Sequence, residues 1–191
     1  MSIVMSRPVV VTPPASEPLT LSEAKCQLSL AADDEAFDPE LIHIIKAARE
    51  QWEHDTDSVT MECTLSVSLD RLESLIRLPK RPVQSIESIH FYDADGVSQE
   101  MEPETYAFDP ASCAVRLGHG KQWPESPRRW DAVTVQYVAG YGRRQDIPAI
   151  AKQAMLLLVG HYFEHRGDND PPRAMQAYES LVRRFMRSSY P

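Results

Sequence analysis

The pentapeptide His161-Tyr162-Phe163-Glu164-His165 has the order of the inverted zinc-hydrolase signature, H-x-x-E-H. On a helix, His161 and His165 lie four positions apart and share a face. Two imidazoles so placed can bind one zinc ion, and Glu164 can activate its bound water. That chemistry needs a third ligand, and the acids remaining downstream are Asp168, Asp170 and Glu179. The plainer reading is a solvent-facing helix end whose histidines suit the negative end of the helix dipole. This reading is preferred, so no metal, cofactor or catalytic residue is expected.

Other chemical-looking spacings are weaker. Asp93-Ala94-Asp95-Gly96 resembles the opening of a calcium loop but lacks the later acidic ligands, and it reads as a hairpin turn. Gly140-Tyr141-Gly142 is too short for a nucleotide cradle and has no following P-loop lysine. No nucleophile-elbow G-x-S-x-G occurs. Trp52, Trp123 and Trp130 are expected as core and strand anchors rather than base-stacking platforms.

Composition narrows the classes of function. The 191 residues are 42% hydrophobic and 25% charged, enough for a sizeable core of ordinary globular type. No apolar run approaches the roughly 20 residues of a membrane-spanning helix, and residues 1–16 carry no secretory apolar region. Cys26, Cys63 and Cys113 are odd in number and far apart, which predicts reduced thiols made in a cytosol. The net charge of −8 opposes coating of nucleic acid and favours protein partners, or a pore through which DNA slides without sticking. From Glu17 to Asp57 eleven acids face only Lys25, Lys46 and Arg49, whereas Arg173, Arg183, Arg184 and Arg187 crowd the end of the chain. These are either solvated faces or complementary surfaces of neighbouring copies.

The elements follow from capping and periodicity. Residues 1–16, with Pro8, Pro13 and Pro14, read as an extended arm. Thr20-Leu21-Ser22-Glu23 spells a capping box that opens a helix over 20–30. Asp38 before Pro39 is expected to cap a second helix over 39–55, with Leu41, Ile44, Ile45, Ala48 and Trp52 as its apolar stripe. Period-two patterns at Thr64–Leu69 and Val133–Tyr137, with short strands between them, make a β-rich stretch near 62–142. A helix over 148–166 is apolar nearly all round, and an amphipathic helix follows over 173–187. The expected fold is α+β: a small, mostly α-helical bundle with a β-rich insertion. Residues 17–191 are expected to form one domain, with helical parts 17–60 and 146–188 around an insertion over 61–143.

An ordered set of segments resembles the head–tail connector, or adaptor, family of long-tailed bacteriophages, some of whose members carry a DNA-packaging label; gene transfer agent adaptors are related. The set comprises Pro18-Leu19-Thr20-Leu21-Ser22-Glu23-Ala24-Lys25, the Leu41–Glu50 helix, Leu78-Pro79-Lys80-Arg81-Pro82-Val83, Tyr92-Asp93-Ala94-Asp95-Gly96, Val133–Gly142 and Ile147–Val159. The resemblance spans about Pro18 to Arg187. The family more often reads Glu-Asn-Arg where this chain has Glu164-His165-Arg166, which makes the zinc signature coincidental.

The resemblance implies a structural virion protein and no enzyme. It implies a homo-oligomeric ring, commonly of twelve copies, that docks on the portal, joins the next neck or tail-completion protein and extends the DNA channel. DNA would pass without sequence-specific binding, and no membrane is involved. The location implied is the virion neck, after assembly in the host bacterial cytoplasm. The alternatives are another neck component, a stopper or tail-completion protein, and the zinc hydrolase of His161, Glu164 and His165. Arg183, Arg184, Arg187 and Tyr190 are the expected portal or subunit interface. Three arginines within five positions are expected to spread over at least two helix surfaces.

Overall fold

Two strands with strict alternation organise the β-rich part of the computed structural model, which describes residues 4–165 and 173–189. In β2 (Cys63–Leu69) the side chains of Cys63, Leu65, Val67 and Leu69 are buried, and the serines and threonine between them face outward. In β8 (Val133–Ala139) Val133, Val135, Tyr137 and Ala139 are buried in the same rhythm. This is the pattern of strands with one face on a core. The two pair antiparallel from Cys63 opposite Ala139 to Leu69 opposite Val133, without a bulge. The larger sheet has the order β1-β2-β8-β4-β5, where β1 is Val9–Thr12, β4 is Val83–Tyr92 and β5 is Ser98–Glu100. The smaller sheet has the order β3-β7-β6, from Leu75–Arg77, Ala114–Leu117 and Tyr106–Asp109. All pairings in both sheets are antiparallel.

The expectation of a mostly helical bundle is corrected by these sheets. Among the described residues there are four α-helices and eight strands, 34% helix against 26% strand. The physical reason is that the strands bury an apolar face of their own rather than decorating a helical core. Two compact units result: Met1–Ala15 with Glu62–Tyr141, and Ser16–Met61 with Gly142–Pro191.

In the first unit, loops are tied to the sheets by polar groups. Asp93 Oδ1 accepts the N–H groups of Asp95 and Val97 at 3.0 and 2.9 Å, and Gly96 adopts a φ of 78°. These bonds shape the β4–β5 hairpin and, together with one from Gln99 to the other oxygen, hold the Asp93 carboxyl below its usual range. The carboxylate shapes the turn, as an Asx residue at a hairpin does. Gly140, with φ of 111°, ends β8, and its N–H donates to Pro82 O at 2.9 Å. Asp70 fastens the N-terminal segment: it accepts the Val4 N–H at 3.0 Å and the Arg128 guanidinium at 2.7–2.9 Å. Trp130 departs from its expected anchoring role, since it stands 83% exposed.

In the second unit, α1 (Leu21–Gln27) begins with the expected capping box. The Glu23 N–H donates to Thr20 Oγ1 at 3.1 Å, and the Thr20 N–H donates to Glu23 Oε2 at 2.7 Å. Helix α2 (Asp38–Asp55) buries Leu41, Ile44, Ile45, Ala48 and Trp52, as its stripe predicts. Helix α3 (Ala149–Glu164) buries Ala151, Ala154, Met155, Leu158 and Val159. Helix α4 (Arg173–Ser189) closes the core by placing Phe185 and Tyr178 edge-on to Trp52, with ring centroids 5.0 and 6.4 Å away.

The start of α2 differs from its expectation. Phe37 occupies the cap position and makes no side-chain capping bond, so Asp38 is the first helical residue. The Asp38 carboxylate instead meets Lys25 Nζ at 2.7 Å, and that ammonium also donates to Ala32 O at 3.3 Å. Lys25 is buried, its side chain only 7% exposed. A buried ammonium demands a counter-charge, and this demand outweighs the gain of a helix cap. Asp38→Ala is therefore expected to cost stability toward the low end of the roughly 3–5 kcal/mol lost when one member of a buried ion pair is removed, because Asp38 itself reaches water. Lys25→Met is expected to cost less, since an apolar stem replaces the buried charge. Chemical denaturation measures both; an unchanged midpoint for Asp38→Ala, or a larger loss for Lys25→Met, contradicts the ion-pair role.

Candidate basic interface on the last helix

Helix α4 is strongly two-faced because Tyr178 and Phe185, seven positions apart, return to the same side every two turns. Its outer side carries Ser180, Arg183, Arg184 and Arg187, which line one open hollow of about 630 Å³. The expectation that the arginines divide over two surfaces is thereby corrected. Positions i, i+3, i+4 and i+7 recur near one helix azimuth at about 3.6 residues per turn, so all three guanidinium groups share one face. The same spacing marks Ser180, whose type alone gives no signal in the sequence. Tyr190 lies outside the described residues.

The three arginines are exposed. Arg183 pairs with Glu179, one turn back, at 3.3 Å, with both side chains largely in water. Such a pair contributes little to stability and leaves the group available to a partner.

The acidic front of the unit is largely consumed internally. Arg49 sits between Glu17 at 2.7 Å and Glu53 at 2.9 Å. Burial opposes its charge, but Glu53 and Glu17 overcome this and raise its pKa. Glu53 uses its second oxygen on Thr60, accepting the backbone N–H at 2.8 Å and the hydroxyl at 2.6 Å. The Glu17 carbonyl takes the Arg144 guanidinium at 3.0–3.1 Å. Glu23 reaches Lys152 at 3.2 Å. Asp33 and Glu35, in the loop between α1 and α2, remain exposed.

The histidine pair near the end of α3 is partly enclosed. The His161 and His165 rings lie 5.1 Å apart and tilted, and both are half-buried rather than solvent-facing. His165 Nδ1 lies 3.3 Å from the His161 carbonyl oxygen. Burial first, and the neighbouring His165 second, lower the pKa of His161 against the opposing pull of Glu164. Among the described residues, no group of three or more His, Cys, Asp or Glu side chains converges as a metal site would; Asp168 and Asp170 lie outside them. Elemental analysis of the purified protein is expected to find zinc far below one per chain. A near-stoichiometric zinc content that disappears in His161→Ala would overturn this.

Behind the basic face, the Tyr178 hydroxyl donates to Asp55 Oδ2 at 2.7 Å. Burial alone would raise the Asp55 pKa, but hydrogen bonds from Gln51, Tyr178 and His54 outweigh it and lower the value. Burial and the Asp55 charge push the Tyr178 phenol far above its ordinary value. The depressed Asp55 contributes stability above its unfolded pKa, near 3.9, that is lost as pH falls through the folded value. Tyr178→Phe is expected to cost about 1.5–3 kcal/mol near neutrality, as for a hydrogen bond to a charged group. That cost should shrink below about pH 4, as Asp55 protonates. Denaturation of both forms across pH 3–7 checks it; a cost that does not vary with pH removes the charged bond from the account.

No family model matches the chain, and no curated protein does. Solved structures do match. A chain in the neck of an empty gene transfer agent particle, computed with C6 symmetry, is 24% identical with a TM-score of 0.79, over 94% of this chain and 95% of that one. A chain in the virion of the native gene transfer agent particle is 22% identical with a TM-score of 0.72, over 94% of each chain. A chain in the neck of the native particle, computed with C12 symmetry, is 19% identical with a TM-score of 0.69, over 92% of this chain and 94% of that one. This chain shares the fold of those chains over more than nine-tenths of its length, in agreement with its sequence resemblance to head–tail neck proteins.

Proposed function

We propose that the chain is a structural subunit of the neck of a tailed phage or phage-like particle. In this reading it forms a cyclic ring on the portal, continues the DNA channel and receives the next neck protein. It performs no catalysis and needs no cofactor. The observation that carries the reading is the match over 94% of the chain, at a TM-score of 0.79, to a chain of a particle neck. Six- and twelve-fold symmetries of such necks suit a ring built from one repeated contact. An acidic chain, of pI about 5.2, suits a lumen that lets DNA slide, because like charge gives phosphates nothing to hold.

The basic face of α4 is the docking surface in this proposal. Arg183, Arg184 and Arg187 point the same way, their helix is fastened by Tyr178 and Phe185, and guanidinium groups bind carboxylates through two parallel hydrogen bonds. The partner is an acidic surface of the portal or of a neighbouring copy, and Tyr190 is included as an expectation from the sequence. Reversing all three arginines to Glu is expected to abolish portal or ring binding in co-sedimentation while the thermal midpoint stays within a few degrees, since exposed side chains contribute little to folding. Wild-type binding by the triple variant at low and high salt would reduce this face to a solvated helix surface.

A further inference from the structure

The larger sheet has two open edges of opposite character. At one edge, β1 is bonded, among the described residues, to β2 on one side only. All four of its residues are exposed, and three are valines: Val9 at 63%, Val10 at 55% and Val11 at 50%. Alternation should bury one face of a strand; here both apolar faces and one backbone edge meet water. An exposed apolar edge strand is a ready template for pairing with another chain. At the other edge, β5 is bonded only to β4, and Ser98, Gln99 and Glu100 are all exposed.

We infer that these two edges pair between copies, β1 of one against β5 of the next. The inference rests on the ring reading above but concerns a different surface from the α4 face. Charge selects the pairing. Exposed Arg7 stands just before β1 and exposed Asp95 just before β5, the two ends that a parallel pairing sets side by side.

Strand direction agrees with a ring. β1 is antiparallel to β2, β2 to β8, β8 to β4 and β4 to β5, so β1 and β5 run the same way. A rotation around a ring of many copies turns each subunit only modestly, so the next copy's β5 reaches β1 parallel and in a continued sheet. Two different edges make a head-to-tail contact, the kind that closes as a cycle; a two-fold dimer would set β1 against β1, antiparallel. Pro8 and Pro13 bracket β1 and limit the junction to one short strand, so it does not extend without end.

Cysteine pairs test the inference in the full chain carrying Cys26→Ser. Val9→Cys or Val11→Cys is combined with Ser98→Cys or Glu100→Cys, the purified protein is concentrated and mildly oxidised, and the products are run on a non-reducing gel. At least one pair should give a ladder of cross-linked copies that collapses on reduction, since strand neighbours lie within disulfide reach. Arg7→Glu should weaken self-association roughly three- to tenfold, as when an exposed ion pair becomes a repulsion, and Asp95→Arg in the same chain should restore it. Rings seen by electron microscopy without a ladder for any pair would overturn the edge pairing and leave the ring reading standing. So would a dimer formed by the β1 cysteine alone, or preferential cross-linking of β1 to Ala107→Cys in β6. A chain that never self-associates, alone or on portal, overturns both.

Discussion

The β2–β8 pair is the constraint on which the larger sheet depends. Seven matched positions without a bulge put Leu65, Val67, Leu69, Val133, Val135 and Tyr137 on one dry face. A slip by one residue would turn all of them to water and bring serines and threonines inward. The same pairing sets Cys63 beside Ala139, so the chain leaves the sheet next to where it came in. An insertion of some eighty residues can then be accommodated in a helical unit without separating the two halves of that unit. Tyr137 adds a lock by donating its hydroxyl to Pro79 O at 2.8 Å.

The helical unit answers a different constraint, the enclosure of Trp52. Its indole is fully buried, and α4 brings two aromatic rings against it. Because those rings sit seven positions apart on α4, the opposite side of the helix is committed to solvent, and there the arginines converge. Core packing thus orients the basic face. The Arg49 network binds the segments on either side of the insertion by joining Glu17, Glu53, Thr60 and Arg144 through few links. Those acids hold the unit together and are mostly not free to serve an outer surface.

Much of this was legible in the sequence because it was local. The capping box at Thr20 and the stripe from Leu41 to Trp52 are signals of one element and need no partner. Period two likewise marked β2 and β8. What the sequence hid was long-range. Asp38 carries a cap-like pattern, but the ammonium of Lys25, on another helix, claims it. Trp130 has the composition of an anchor, yet its neighbours are the ones tied down: Arg128 to Asp70, and Arg129 over the Tyr92 ring at 3.9 Å. The weight of the β part was underestimated because short strands carry little signal singly and gain their core only by pairing. The arginine face follows from helical geometry, since positions 183, 184 and 187 fall near one azimuth.

The central claim is that this chain builds a ring at the portal of a particle. Negative-stain electron microscopy of the purified protein, alone and mixed with the cognate portal, measures that directly. The account predicts closed rings stacked coaxially on the portal, with an open central channel. Portal rings that stay bare at every protein concentration and salt, beside a chain that remains monomeric, would contradict it.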